Sequence, residues 1–208
     1  MVESDHGMND AGDIGKLRGA LRAAARERRA MFFRANGTAV AKKLCEFMPE
    51  LYLPHKAVVA GYGPRGSELD PLPALSYLAG RGYPLALSAA VAKDQPLVFR
   101  SWKPGDPLVP DVIGSLAPLP ASPTVVPDVL FLPVIAYDRQ GHRLGSGANL
   151  YSPTIAGVRA QGKALQVIGL SFAIQEEHSV PFEPSDVLLD GIVTERGVVW
   201  FRENEKKS

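Results

Sequence analysis

The stretch DVLFLPVIAYD, residues 128–138, limits the fold more than any other part of the chain. Its apolar residues run without the polar alternation of a half-exposed strand, and Val, Ile and aromatic side chains dominate it. It reads as a strand buried near the centre of a sheet. AVVAGY (57–62), PLALSAAV (84–91) and QVIGLSFA (166–173) are shorter runs of the same kind. PLVFRSW (96–102) alternates apolar and polar residues, as a half-covered strand does, and GIVTERGVVWF (191–201) reads as a terminal strand pair turning at Arg196-Gly197. Helical segments lie between the runs, one within PRGSELDPLPALSYLAGRG and one from about Ser152 to Gly162. Strands alternating with helices predict an α/β domain with a largely parallel sheet.

The N-terminal part follows another rule. IGKLRGALRAAARERRAMFFRAN (14–36) is rich in Ala, Arg and Leu and reads as a helix. A second helical segment, GTAVAKKLCEFM (37–48), stops at Pro49, and Asn36-Gly37 is the expected break between the two. The arginines at 22, 26, 28 and 29 read as a solvated helix face. Residues 1–13 are expected to form a loose tail ahead of one domain spanning 14–208. The tail is acidic and polar, unlike a signal peptide with its basic start and apolar core. The proline-rich section from Lys103 to Pro127 reads as an extended surface connection.

Composition narrows the function classes. A net charge of +1 over 208 residues argues against a nucleic-acid surface. No apolar run reaches the roughly 20 residues of a membrane span. The single cysteine, Cys45, excludes an internal disulfide and a cysteine-rich zinc site; it reads as a small buried side chain in a reducing compartment. The four histidines (6, 55, 142, 178) lack metal spacing and read as surface residues. A soluble, cytoplasmic protein bound to neither nucleic acid nor membrane is expected.

After the central run comes RQGHRLGSGANLYSP (139–153). Closely spaced glycines beyond a buried strand let backbone N–H groups converge on an anion, and Arg143 adds a fork of donors for phosphate oxygens. The loop is no P-loop, because no Gly-Lys-Ser/Thr follows, and Gly145-Ser146-Gly147 lacks the third glycine of a dinucleotide fingerprint. Alone, such a loop is also compatible with a plain tight turn.

The wider sequence resembles the 5-formyltetrahydrofolate cyclo-ligase family. DVLFLPVIAYDRQGHRLGSG follows that family's strand-and-loop pattern nearly position by position. LRGALRAAARERR resembles its first helix, and SELDPLPAL its folate-side segment. PLVFRSWKPGDPL and IGLSFAIQEEHSVPFEPSDVLLDGIVTERGV extend the likeness, in order, over roughly residues 14–200. The resemblance implies a three-layer α/β/α fold of the kind shared with sugar-phosphate isomerases and CoA transferases. It implies a ligase of folate and one-carbon metabolism, monomeric like other small members, using ATP and Mg2+. In that reaction ATP phosphorylates the formyl oxygen of 5-formyltetrahydrofolate, N10 attacks the activated carbon, and loss of phosphate gives 5,10-methenyltetrahydrofolate.

Carried over residue by residue, the resemblance assigns Arg18, Arg143 and the loop Leu144, Gly145, Ser146, Gly147, Ala148, Asn149 and Leu150 to the nucleotide. It assigns Glu68, Leu150 and Tyr151 to the folate, Arg143 and Tyr151 to catalysis, and Asp186 to the magnesium. The departures cluster around triphosphate and metal. Ile14 stands where the family has lysine, Asn149 where it has a loop glycine, Leu150 where it has tyrosine, and Ser152 where it has a metal-binding acid. Ala117-Pro118 and Leu87-Ser88 depart from the family elsewhere. Lys16 and His142 are the nearby cations to consider as replacements, although Lys16, two helical positions along, belongs to another face. These departures admit an alternative: a member that binds folate or a phosphate ligand without ATP-dependent turnover.

Overall fold

A computed structural model describes residues 7–201. Helix α1 (Gly7–Phe47) runs unbroken for 41 residues. The break expected at Asn36-Gly37 is absent. Asn36 donates its side-chain amide to the Phe32 carbonyl at 3.1 Å and stays within the helix. Gly37 is small for a packing reason: a Cβ there would stand 2.5 Å from the Phe33 ring. That ring in turn lies edge-on to Phe172, 6.4 Å between centroids. The helix takes in residues 7–13 of the expected tail, while residues 1–6 lie outside the described residues. After Phe47 a short 3-10 turn carries Pro49, and Tyr52 adopts φ 47° to end the helical region.

The remaining elements are β1 (Val59–Gly61), α2 (Leu72–Ala79), β2 (Leu85–Ala89), β3 (Val98–Ser101), β4 (Leu108–Pro110), β5 (Leu116–Pro118), β6 (Val129–Pro133), β7 (Ala136–Tyr137), β8 (Arg143–Leu144), α3 (Tyr151–Ala160), β9 (Gln166–Leu170), β10 (Gly191–Thr194) and β11 (Gly197–Trp200). Seven of the strands form one sheet in the order β11-β10-β9-β6-β1-β2-β3. The five inner strands are parallel and the two edge strands antiparallel. β6 is the middle strand, as its composition required. The run 128–138 is nevertheless divided: Pro133 closes β6, and residues 136–137 turn into the β7–β8 hairpin. The proline-rich section is also more ordered than a surface connection, since β4 and β5 pair within it.

Alternation along β6 shows why helices lie on both faces. Val129 and Phe131 pack with Leu44 of α1 and Leu75 of α2, whereas Leu130 and Leu132 pack with Ile155 and Val158 of α3. A period of two sends successive side chains to opposite faces, and both sets are fully buried. The result is three layers with a mostly parallel sheet in the middle. Truncating Phe131 to Ala would cost about 3–5 kcal/mol by leaving a cavity between α1 and the sheet. No helix among the described residues is long and apolar enough to cross a membrane.

Candidate active site

At β1 the strand order reverses: β2 and β3 lie to one side, β6, β9 and β10 to the other. The connections leaving the carboxyl ends of β1 and β6 therefore diverge, which opens a crevice of the kind that receives ligands in open parallel sheets. A cleft occupies that place, lined from β1's exit by Tyr62 and Glu68, from β2 by Ser88, from the glycine loop by residues 145–151, and from α1 by Arg18 and Arg22.

One wall carries concentrated positive charge. The β7–β8 hairpin places Arg143 in the cleft at only 7% exposure. Its Nη2 donates to Ser152 Oγ at 3.1 Å, and its buried Nε has no partner. Burial lowers its pKa, with the fields of Asp186 and Tyr151 opposing and that of Arg18 assisting; the guanidinium stays charged at any ordinary pH. The hairpin is organised by Asp138, which is fully buried. Its carboxylate accepts the N–H groups of Gln140, His142 and Val180 at 2.9, 3.0 and 2.9 Å, and the His142 ring at 3.0 Å.

The loop beyond the hairpin uses two left-handed residues, Gly147 at φ 110° and Asn149 at φ 46°. Asn is among the few side chains that tolerate that region, so the glycine replaced there is not a lost conformation. Helix α1 grips the loop by its carbonyls: Arg22 Nε donates to Gly145 O at 3.0 Å, and Arg26 Nη2 donates to Ser146 O. Arg18 holds Asp186 through both terminal nitrogens, and its Nη1 also donates to the Pro181 carbonyl at 3.3 Å. The Glu183 N–H adds a 2.9 Å bond to Asp186. Burial pushes the Asp186 pKa up, but Arg18, that N–H and Arg143 together outweigh it and hold the carboxyl below the usual aspartate range.

The rest of the lining includes Tyr62, Arg65, Glu68, Asp111 and Tyr151. Glu68 is 9% exposed and accepts the Arg65 N–H at 2.9 Å. Burial is the largest influence and raises its pKa above the glutamate norm, against that N–H and the charges of Arg29, Arg65 and Arg26. Tyr62 donates its hydroxyl to the Leu69 carbonyl at 2.6 Å. Tyr151 lies with its hydroxyl 3.4 Å from Ser88 Oγ, and burial raises its phenol pKa. Leu150 packs on Ala90 and Leu97. Thr154 ties this corner together, accepting the Leu97 N–H at 2.8 Å and donating to the Leu150 carbonyl at 2.6 Å.

The model of the 5-formyltetrahydrofolate cyclo-ligase family matches residues 15–195, which span the sheet, the glycine loop and both walls. This chain belongs to that family. It is 33% identical over 153 residues to the 5-formyltetrahydrofolate cyclo-ligase of Mycolicibacterium smegmatis, covering 69% of this chain and 77% of that protein. It is 32% identical over 101 residues to the Haemophilus influenzae 5-formyltetrahydrofolate cyclo-ligase, covering 47% of this chain and 53% of the other. The NMR structure of Aquifex aeolicus 5,10-methenyltetrahydrofolate synthetase shares the fold: its TM-score is 0.74 at 21% identity, over 92% of this chain and 96% of that one.

Among the residues that the sequence assigned by resemblance to this family, Arg18, Glu68, Arg143, Gly145, Ser146, Gly147, Ala148, Asn149, Leu150, Tyr151 and Asp186 all line the one cleft. Leu144 does not. It is buried behind the hairpin with Ala25, Ile135 and Val180. Ser152 is buried beside the cleft, its hydroxyl on Arg143.

The arginines read as a solvated face are engaged instead. Arg22 and Arg26 hold the loop, Arg28 pairs with Glu177, and Arg29 donates to Ser67 Oγ at 3.1 Å. Positions 18, 22, 26 and 29 share one helix face, and that spacing was the available signal. Lys16 pairs with Asp13 at 3.8 Å and stays exposed, away from the cleft. His142 is no surface residue: its ring stacks on Phe182, 4.0 Å between centroids and 7° from parallel, and it is bound to Asp138.

The donor set suits a polyanion, since a buried guanidinium retains an open donor and Arg22 reaches Gly147 where no Cβ intervenes. It does not suit a protein-held magnesium. A hard cation takes oxygen ligands, chiefly carboxylates. Asp186 is committed to Arg18, Ser152 is neutral, and among the described residues no cluster of three or more His, Cys, Asp or Glu is positioned for a metal.

Proposed function

We propose that the protein converts 5-formyltetrahydrofolate to 5,10-methenyltetrahydrofolate with ATP as the phosphoryl donor. The observation that carries this reading is Arg143, buried at the exit of the matched strand and loop with an unpartnered Nε. Burying such a donor is costly unless a ligand oxygen completes it. When bound, the nucleotide supplies the phosphoryl group that turns the formyl oxygen into a leaving group.

The chain's own contribution is position and field. Arg22, Arg143 and the glycine loop hold the phosphates and stabilise the charge that develops during transfer, while Arg18, paired with Asp186, fixes that side of the cleft. Glu68 presents a hydrogen-bonding carboxyl to the polar edge of the folate ring, and Tyr62, Leu150 and Tyr151 give the ring an apolar bed. Leu150 and the loop keep water from the reacting carbon, where it would compete with N10. The residues of the cleft supply no carboxylate cage for magnesium.

The test is the near-ultraviolet absorbance of the methenyl product from purified protein, 5-formyltetrahydrofolate, ATP and MgCl2. Product is expected from the wild type, and from Arg143→Met at a rate lower by a factor of about 100 or more. No product from a wild type that still binds folate in a calorimeter would overturn the ligase reading and leave a binding protein.

A further inference from the structure

We infer that the cleft takes a nucleoside triphosphate as the free polyanion, its charge balanced by guanidinium groups and not by a protein-bound divalent cation. This rests on the nucleotide reading above and goes beyond it by assigning the counter-charge. Four arginines line the cleft, Arg18, Arg22, Arg65 and Arg143, against three acids, Glu68, Asp111 and Asp186.

Each acid is already committed. Asp111 accepts the Ala90 N–H at 2.8 Å on one oxygen and the Ile113 and Ser115 N–H groups at 3.0 and 2.9 Å on the other. Asp186 gives both oxygens to Arg18 and one also to the Glu183 N–H. Glu68 accepts the Arg65 N–H in surroundings that favour its uncharged form. Magnesium requires near-octahedral oxygen ligation and parts with its water reluctantly. Ser152, whose hydroxyl takes the Arg143 N–H, gives it no charged ligand either.

The cations are placed the other way. Arg22 uses only its Nε on the Gly145 carbonyl, which leaves its terminal nitrogens for a ligand beside Gly147. Arg143 keeps a buried donor unpartnered. Burial, with the charges of Arg18 and Arg26, lowers the Arg22 pKa against the opposing field of Asp186, so a bound anion would favour its charged form. Planar forks of donors match phosphate oxygens and gain most from the form carrying the most negative charge. Magnesium on the nucleotide would cancel two of the charges these forks receive.

Calorimetric titration with a non-hydrolysable ATP analogue, once in excess EDTA and once in excess MgCl2, tests the inference. The affinity in EDTA is expected to equal or exceed that in magnesium. Arg22→Gln should weaken the EDTA value about 10-fold or more, as loss of a charge-assisted phosphate contact does. Ser152→Asp places a carboxylate against Arg143; it should weaken binding in EDTA and make added magnesium strengthen it. Wild-type binding about 10-fold tighter with magnesium, a gain of about 1.4 kcal/mol, would overturn the inference and leave the nucleotide reading standing. Absence of binding in both conditions would overturn both, and a parallel titration with 5-formyltetrahydrofolate shows whether the folate half survives. If Arg22→Gln fails to fold by circular dichroism, the wild-type comparison decides alone.

Discussion

The two walls of the cleft put a carboxyl group under opposite conditions. Asp186 and Glu68 both lose water, yet Asp186 is held ionised while Glu68 is drawn towards its neutral form. The difference is the direct bonding. Two nitrogens of Arg18 and a backbone N–H meet Asp186, whereas Glu68 receives one backbone N–H and its nearby arginines act only through space. Burial alone does not fix the charge of a site; the geometry of the nearest donor does. The chain thereby keeps one carboxyl of the cleft firmly ionised among arginines and another, beside buried tyrosines, drawn towards its neutral form.

The largest expected way to break this contrast is Arg143→Met, which removes the buried cation of the charged wall. Turnover in the absorbance assay should fall by a factor of about 100–1,000, as loss of a charge-stabilising donor does. Folate affinity, measured by calorimetry, should change little, because the opposite wall is intact. A fall of less than tenfold would mean that the charged wall does not face the reacting phosphate.

Next in size is Asp186→Asn, which removes the closer of the two acids paired with Arg18 and leaves only Glu183, 3.9 Å from its Nε. Urea unfolding should show a loss of about 2 kcal/mol, below the range for fully buried pairs because the group is only partly desolvated. An unchanged midpoint would mean that the pair contributes nothing.

The pH dependence separates the two carboxyls by sign. Asp186 has a lowered folded-state pKa, so its contribution to stability is complete above the ordinary aspartate range and disappears as pH falls through the lowered value. Glu68 has a raised one, so its contribution is complete below the ordinary glutamate range and disappears as pH rises through the raised value. Unfolding free energies measured from strongly acidic to neutral pH should therefore lose their acid limb in Asp186→Asn. In Glu68→Gln they should lose part of the decline towards neutrality, with a small gain in stability at pH 7. The reverse pattern would contradict the assignment of charge to the walls.

The smallest effect belongs to Arg26→Gln. Its bond to the Ser146 carbonyl is exposed to solvent, and such contacts contribute about 0.5 kcal/mol or less. Nucleotide affinity should weaken less than about threefold. A larger loss would make the outer latch as important as the buried arginine.

Local pattern made the sheet legible. The run at 128–138 is apolar on both faces because α1 and α3 cover both sides of β6, and the helix after the glycine loop has a helical period of its own. What misled was contact at a distance. Asn36-Gly37 has the composition of a turn, and only the Phe33 ring lying over Gly37 shows why the helix continues. A row of arginines on a helix looks the same whether it faces water or a loop, and the loop carbonyls that receive Arg22 and Arg26 lie 123 and 120 positions further on. His142 was hidden in part for the same reason: Asp138 is only four positions away, but its burial and the Phe182 ring that stacks on His142 are set by the fold.

The pairing of Arg18 with Asp186 also sets a clock on synthesis. The two are separated by 168 positions. At about 5–20 residues added per second, α1 waits on the order of ten to thirty seconds for its partner to be made. Throughout that interval the Arg18 guanidinium lacks the carboxylate that holds it in the finished fold, while the partners of Arg29, Arg22, Arg26 and Arg28 are made earlier. An arrested product ending before residue 183 would lack both acids that pair with Arg18, Glu183 and Asp186. The segment that carries Asp186 thus gives the first helix its counter-charge late, after the glycine loop that Arg22 and Arg26 hold has already been made.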